Sequence, residues 1–161
     1  MRIHYFNFTY ATCGDLSGLN YDKNGDKYHN IEKYVAPMVG EVDLYKVSHH
    51  GSTTSSNRVW CDWLKPTVSV CSCGGGTHLP EPVPMGHLLD VGSVIYTTGD
   101  DCNRSTMKQY SEIIKMGDDV VVTVRPNASS FKVSNPKGEK AKTYKIKTNK
   151  KAPEKCKLLD Q

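Results

Sequence analysis

Long apolar runs are missing from this chain. No stretch approaches the roughly 18 consecutive apolar residues that a membrane helix requires. The opening "MRIHYFNFTY" has neither an apolar h-region nor a cleavage site, so it does not read as a signal peptide. These absences set a cytoplasmic location as the expectation. Several familiar signatures are missing too. "CGGGTH" lacks the Gly-Lys-Ser/Thr ending of a phosphate-binding loop. No Gly-x-Ser-x-Gly elbow surrounds Ser52 or Ser55. "DKNGDK", from Asp22 to Lys27, opens like a calcium loop, but its glycine comes early and Lys33 stands where the twelfth position needs glutamate. Arginine is absent from residues 132–161, although ten lysines stand there against Glu139, Glu154 and Asp160. A polyanion such as nucleic acid is one reading of that basic tail; a solvated terminal extension is the favoured one.

What remains suits one domain or a piece of a larger one: 161 residues, 37% hydrophobic, with two Trp and nine Tyr. The six cysteines are irregularly spaced, and free thiols in a reducing compartment are favoured over a disulfide set. Cys71-Ser-Cys73 with His78 hints at zinc but lacks the second spaced pair of a structural zinc site.

The pattern of elements is α/β. "IHYFNFTYATC" alternates and reads as one strand. "NIEKYVAPM" reads as a short helix capped by Asn30 and ended near Pro37. "VDLYKVS" is a second strand. "SSNRVWCDWLK" is a helix capped by Ser55 or Ser56, with an apolar stripe of Val59, Trp60, Trp63 and Leu64. "TVSVCSC" reads as a strand buried on both faces, "PMGHLLDVG" as a helix and "SVIYTT" as a fourth strand. "STMKQYSEIIKMG" is a helix or an irregular connection. "DVVVTVRP" and "SSFKVSN" pair as closing strands. Residues 132–161 read as a Lys-rich extension that adds one edge strand, "TYKIKT", before a disordered end.

Three loops follow predicted strands: "CGDLSG", "SHHGS" and "GGGTHLPEP". Side by side in one sheet, they would converge at the C-terminal edge, where α/β sheets build sites. The converging groups would be Asp15, His49, His50 and His78. One carboxylate with two or three imidazoles suits zinc, manganese or iron. Gly51, directly after His50, would allow a sharp turn and leave room for metal and substrate. His4, His29 and His87 default to structural or solvated roles.

In that order, "FTYATCGDLSG", "VDLYKVSHHGSTTSS", "KPTVSVCSCGGGTHLPEP" and "VGSVIYTTG" resemble the second half of the metallo-β-lactamase fold. The branch they most resemble is the ComEC-like hydrolase domain of DNA-uptake channels and its free-standing bacterial relatives. The likeness runs from about Ile3 to Asp101. It implies the C-terminal half of an αββα sandwich over residues 1–131, with a mixed sheet and flanking helices. It also implies a metal-dependent hydrolase that attacks phosphodiesters such as DNA with a metal-bound hydroxide, using two divalent ions, zinc or manganese.

By the same resemblance, Asp15 matches the metal-bridging aspartate. The dipeptide His49-His50 matches the last metal histidine, with His50 the first choice and His49 a neighbour or substrate contact. His78 matches a loop histidine that contacts substrate or phosphate. Two departures stand out. Leu79 separates His78 from Pro80, where the family joins them. The His-x-His-x-Asp-His ligand loop is absent. The expectation is a fragment inactive alone, needing an N-terminal half or self-association. The alternative is a non-catalytic remnant, a partner- or nucleic-acid-binding module.

Overall fold

Two antiparallel strands open the chain, β1 (Arg2–Tyr5) and β2 (Phe8–Thr12). A single strand was expected over this stretch. The alternation runs unbroken through Phe6, but Phe6 takes φ 49°, the positive φ of a tight two-residue hairpin turn. In this computed structural model the described residues are 1–19 and 29–154. Most of the polar loop before the first helix, and the expected disordered end past residue 154, lie outside them.

From β2 onward the sheet is parallel. β3 (Leu44–Lys46), β4 (Val68–Cys71), β5 (Val94–Thr97) and β6 (Ile114–Lys115) follow in sequence order, giving a mixed six-stranded sheet. Each crossover carries a helix: α1 (Ile31–Val39), α2 (Arg58–Leu64), α3 (Pro82–Asp90) and α4 (Arg104–Gln109). Asn30 caps α1 as expected, its side chain accepting from the Lys33 amide at 3.0 Å. The helix passes Pro37, because a proline in the last turn removes only one amide, and ends at Gly40 with φ 66°. The cap of α2 is Asn57, whose side-chain Oδ1 accepts from the Trp60 amide, and not Ser55 or Ser56. Of its expected stripe, Trp60 and Leu64 are buried and Val59 is exposed.

A second sheet, β7 (Val121–Val124), β8 (Ser130–Ser134) and β9 (Lys142–Lys145), is antiparallel, with "TYKIKT" supplying the edge strand β9. Alternate residues of the large sheet face two cores. Ala11, Tyr45, Cys71 and Ile95 pack with Trp60, Leu64, Met85 and Leu88 of the helices. Phe8, Leu44, Val68 and Tyr96 pack with Phe131, Val133 and Tyr144 of the second sheet. The described residues thus stack as helices, mixed sheet and second sheet.

Strand β8 runs across the expected boundary at residue 132, and Val133, Tyr144 and Ile146 beyond it are buried. The segment after β9 is also docked. Lys150 Nζ lies 2.8 Å from the fully buried Asp43 carboxylate, and the Lys147 amide donates to the other Asp43 oxygen at 3.0 Å. Asp43 precedes β3, so these lysines serve the edge opposite the converging loops. They are structural, where a solvated extension was expected.

Candidate functional site

Because β2, β3, β4 and β5 are parallel neighbours, their following loops meet at one edge. The first two loops are stitched together by the His49 amide, which donates to the Gly14 carbonyl at 3.2 Å. Past β3 the chain makes a tight turn over Ser48–Gly51. His49, His50 and Gly51 all take positive φ, at 47°, 53° and 80°. Two consecutive non-glycine residues in this region cost about 1–2 kcal/mol each. The turn is held from below by Tyr45, whose buried hydroxyl accepts from the Ser48 amide at 3.0 Å and meets the Ser48 and Ser56 hydroxyls at 2.8 and 2.9 Å. Burial pushes the Tyr45 phenol up, so it stays neutral in this network.

The turn sends its two imidazoles to different sides. His49 faces Asp15, with Nε2 4.0 Å from Oδ2, while its Nδ1 lies 2.8 Å from the Thr54 hydroxyl. His50 leans the other way, and its Nδ1–H donates to the Ser72 carbonyl at 2.7 Å. There it borders a cavity of about 370 Å³ lined by Ser72, Cys73, Thr77, Leu79 and Thr98. A second cavity of about 410 Å³ shares Ser72 and Thr98 and adds Lys46, Tyr10, Val70 and Asp119.

The expected residues are therefore brought together in part. Asp15 and His49 oppose each other, so the imidazole facing the carboxylate is His49, where His50 was the first choice. His78 is exposed and does not line the His50 cavity, although Thr77 and Leu79 on either side of it do. Gly51 does not leave room for a ligand. A Cβ on it would sit 2.6 Å from Pro80 Cβ and 3.0 Å from Met85 Cε, so this glycine exists for its positive φ and for close packing against the start of α3.

Two carboxylates escaped sequence reasoning. Glu81, the N-cap of α3, reaches across to the loop after the histidines. Its Oε2 accepts from the Thr53 amide at 2.6 Å, the Thr53 hydroxyl at 2.9 Å and the Ser52 hydroxyl at 3.4 Å. Burial acts to raise this carboxyl, but the Thr53 hydrogen bonds, the nearby His78 and the Ser52 hydroxyl together hold it below the usual range. Glu32 of α1 is fully buried and accepts from the Ser56 and Asn57 amides at 2.6 and 2.8 Å. Burial pushes it up to about 7 against the pull of those two amides. The flanking prolines of "LPEPVP" mark Glu81 as a residue just outside a helix; nothing in the sequence marks Glu32 as buried.

The cysteines also differ from expectation. Cys73 and Cys102 form a disulfide, with Cα atoms 5.4 Å apart. They lie far apart in sequence, but each follows one of two adjacent parallel strands, β4 and β5, so the fold brings them together. Cys13, Cys61 and Cys71 are free. With Cys73 in the disulfide and the Cys71 thiol pushed up to about 12 by burial, the Cys71-Cys73-His78 zinc reading fails.

Donor chemistry gives a direct test of a metal centre. One carboxylate and one imidazole facing each other fit two ligands of a divalent ion. Among the described residues, however, no three His, Cys, Asp or Glu side chains gather as a ligand group. No helix among the described residues is long and apolar enough to cross a membrane. Comparison with protein-family models gives no match, and comparison with curated proteins gives none.

Proposed function

We propose that this chain is the C-terminal half of a metallo-β-lactamase-like, ComEC-like hydrolase domain, contributing Asp15 and His49 to a divalent-metal site that acts on phosphodiesters such as DNA. The observation that carries the reading is the opposition of His49 Nε2 and Asp15 Oδ2 at 4.0 Å, on the C-terminal edge of the parallel strands. The helix–sheet–sheet layering supports it, being three of the four layers of an αββα sandwich. Strained φ at His49 and His50 supports it as well, since such strain gathers at functional sites. A bound zinc or manganese ion would supply Lewis-acid activation of water at neutral pH.

In this assignment Asp15 and His49 are the ligands from this chain. His50, with Nδ1–H committed to Ser72, offers Nε2 to a substrate in the adjoining cavity. His78, exposed between Thr77 and Leu79 of the cavity lining, is a peripheral substrate contact. Two donors bind an ion weakly, so the chain is inactive without the remaining ligands, supplied by an N-terminal half or a partner. The alternative of a nucleic-acid-binding module draws less support, because in the basic tail the Lys150 ammonium pairs with buried Asp43 and the Lys147 ammonium donates to the Lys65 carbonyl.

The test is calorimetric titration of zinc and manganese into the purified chain, with bis-p-nitrophenyl phosphate turnover followed alongside. Weak binding that is lost in both Asp15→Ala and His49→Ala is the expected result, with no turnover by the chain alone. Binding that is unchanged in both variants refutes the site.

A further inference from the structure

We infer that Glu81 is a positioning residue for His49, acting through a directed chain of hydroxyls, Ser52 and Thr54, that fixes which ring nitrogen carries the proton. This inference gains its catalytic meaning from the metal-site reading above, but its geometry stands apart from it.

The chain begins at a carboxylate, which only accepts hydrogen bonds. The Ser52 hydroxyl lies 3.4 Å from Glu81 Oε2 and points its proton there. With that proton committed, Ser52 Oγ is an acceptor, and it receives both the Thr54 amide at 3.3 Å and the Thr54 hydroxyl at 3.1 Å. The Thr54 proton is thereby committed in turn. Its oxygen, 2.8 Å from His49 Nδ1, is left to accept. His49 then carries its proton on Nδ1 and turns the Nε2 lone pair toward Asp15 Oδ2.

A lone pair facing a carboxylate leaves a place for a cation or a proton between them. An Nε2–H would instead close the gap as an ordinary imidazole–carboxylate pair. Glu81 also holds the loop itself, through the two shorter bonds from Thr53. The same device appears in simpler form at His50, where a carbonyl fixes the proton on Nδ1 directly. Both imidazoles of the turn thus present Nε2, one toward Asp15 and one toward the cavity. Ordering the tautomer of a ligand histidine through the partner of its other nitrogen is how outer groups tune metal sites.

The experiment is ¹⁵N NMR of the imidazole nitrogens in the metal-free chain at a pH where the histidines are neutral. In the wild-type chain His49 and His50 should both show the Nδ1–H signature. Thr54→Val removes one hydroxyl and keeps the shape; it should shift the His49 tautomer ratio toward Nε2–H by roughly five- to ten-fold, the effect of one hydrogen bond, and leave His50 unchanged. Glu81→Ala should shift His49 in the same direction. Glu81→Gln, which can keep an oxygen at the Oε2 position, should restore the wild-type pattern.

Should Glu81→Ala disturb His50 as well, the loop has come apart, and Ser52→Ala, which cuts the relay to Glu81 and keeps the Thr53 bonds to it, decides in its place. Wild-type His49 protonated on Nε2, or a His49 ratio unmoved by Thr54→Val or by the variant that cuts the link to Glu81, overturns the inference. Because no metal is present, these outcomes are separate from the titration of Asp15→Ala and His49→Ala: either reading can fail while the other holds.

Discussion

Glu32 makes the stability of the fold depend on pH. Its side chain is fully buried beside Gly18 and accepts from the Ser56 and Asn57 amides, which lead into α2. Burial raises its carboxyl from an ordinary 4.5 to about 7, with the two amides opposing. The sign follows from proton counting. Between these pH values the folded chain holds a proton that the unfolded chain has lost, so folding stability falls as pH rises. The contribution is fully present below about 4.5 and is lost by the time pH passes about 7. That span, at roughly 1.4 kcal/mol per pH unit, gives at most about 3 kcal/mol. The perturbation is Glu32→Gln, which cannot ionise. Gln brings one acceptor to two amides, so about 1–3 kcal/mol is lost at low pH. Urea unfolding from pH 4 to pH 9 measures both effects. Other titrating groups are common to the two chains and drop out of the difference. Wild-type stability should fall relative to the variant by up to about 3 kcal/mol between pH 4.5 and 7.5. Parallel profiles would refute the reasoning, as they would mean that two amides solvate the buried carboxylate as well as water does.

Two further substitutions probe the frame. Gly51→Ala meets Pro80 Cβ at 2.6 Å in a residue of φ 80°, so strain and overpacking together should cost about 2–5 kcal/mol; a loss under about 1 kcal/mol by thermal unfolding refutes the close packing of the turn on α3. Asp43→Ala strands Lys150 Nζ and the Thr9 and Lys147 amides and should cost about 3–5 kcal/mol, much of it recovered when Lys150→Met is added; additive losses in the double-mutant cycle refute the buried pair.

Most of the strand and helix order was legible because those elements carry their own period and punctuation; the two-residue strand β6, inside a segment read as a helix or an irregular connection, is too short to carry either. Asn30 before α1, the small β-branched run of β4 and the Pro-Asn turn between β7 and β8 needed no tertiary knowledge. Convergence of the Gly-Asp and His-His-Gly loops was legible too, since it follows once β2 and β3 are parallel neighbours. What the sequence hid depends on long-range contact. The Phe6 turn interrupts no apolar pattern. The Cys73–Cys102 pair exists only because β4 and β5 adjoin. Glu81 belongs to a helix start, yet its bonds are made to Ser52 and Thr53, far back in the chain. The Lys-rich tail looked solvated because lysine usually is; one buried acceptor, Asp43, is enough to fold part of it inward.

The adjacent histidines illustrate how strain separates structural from functional explanations. A turn built only to connect β3 to α2 has no need of two bulky left-handed residues, at about 1–2 kcal/mol each. Glycine or asparagine would serve it at lower cost. Nor do the rings stabilise the core, since His50 is exposed and His49 is 37% exposed against an Asp15 that is 67% exposed. What the left-handed pair achieves is direction. A regular strand would send successive side chains to opposite faces of the sheet, one into each core. In the left-handed turn both imidazoles instead leave along the open edge, one toward Asp15 and one toward the adjoining cavity. Tyr45 anchors the turn at Ser48, and Thr54 and Ser72 then hold the His49 and His50 rings with Nδ1 occupied. Cost in the backbone, no gain in the core and rings fixed by named partners are together what a structural role for the pair leaves unexplained and what the proposed site would account for.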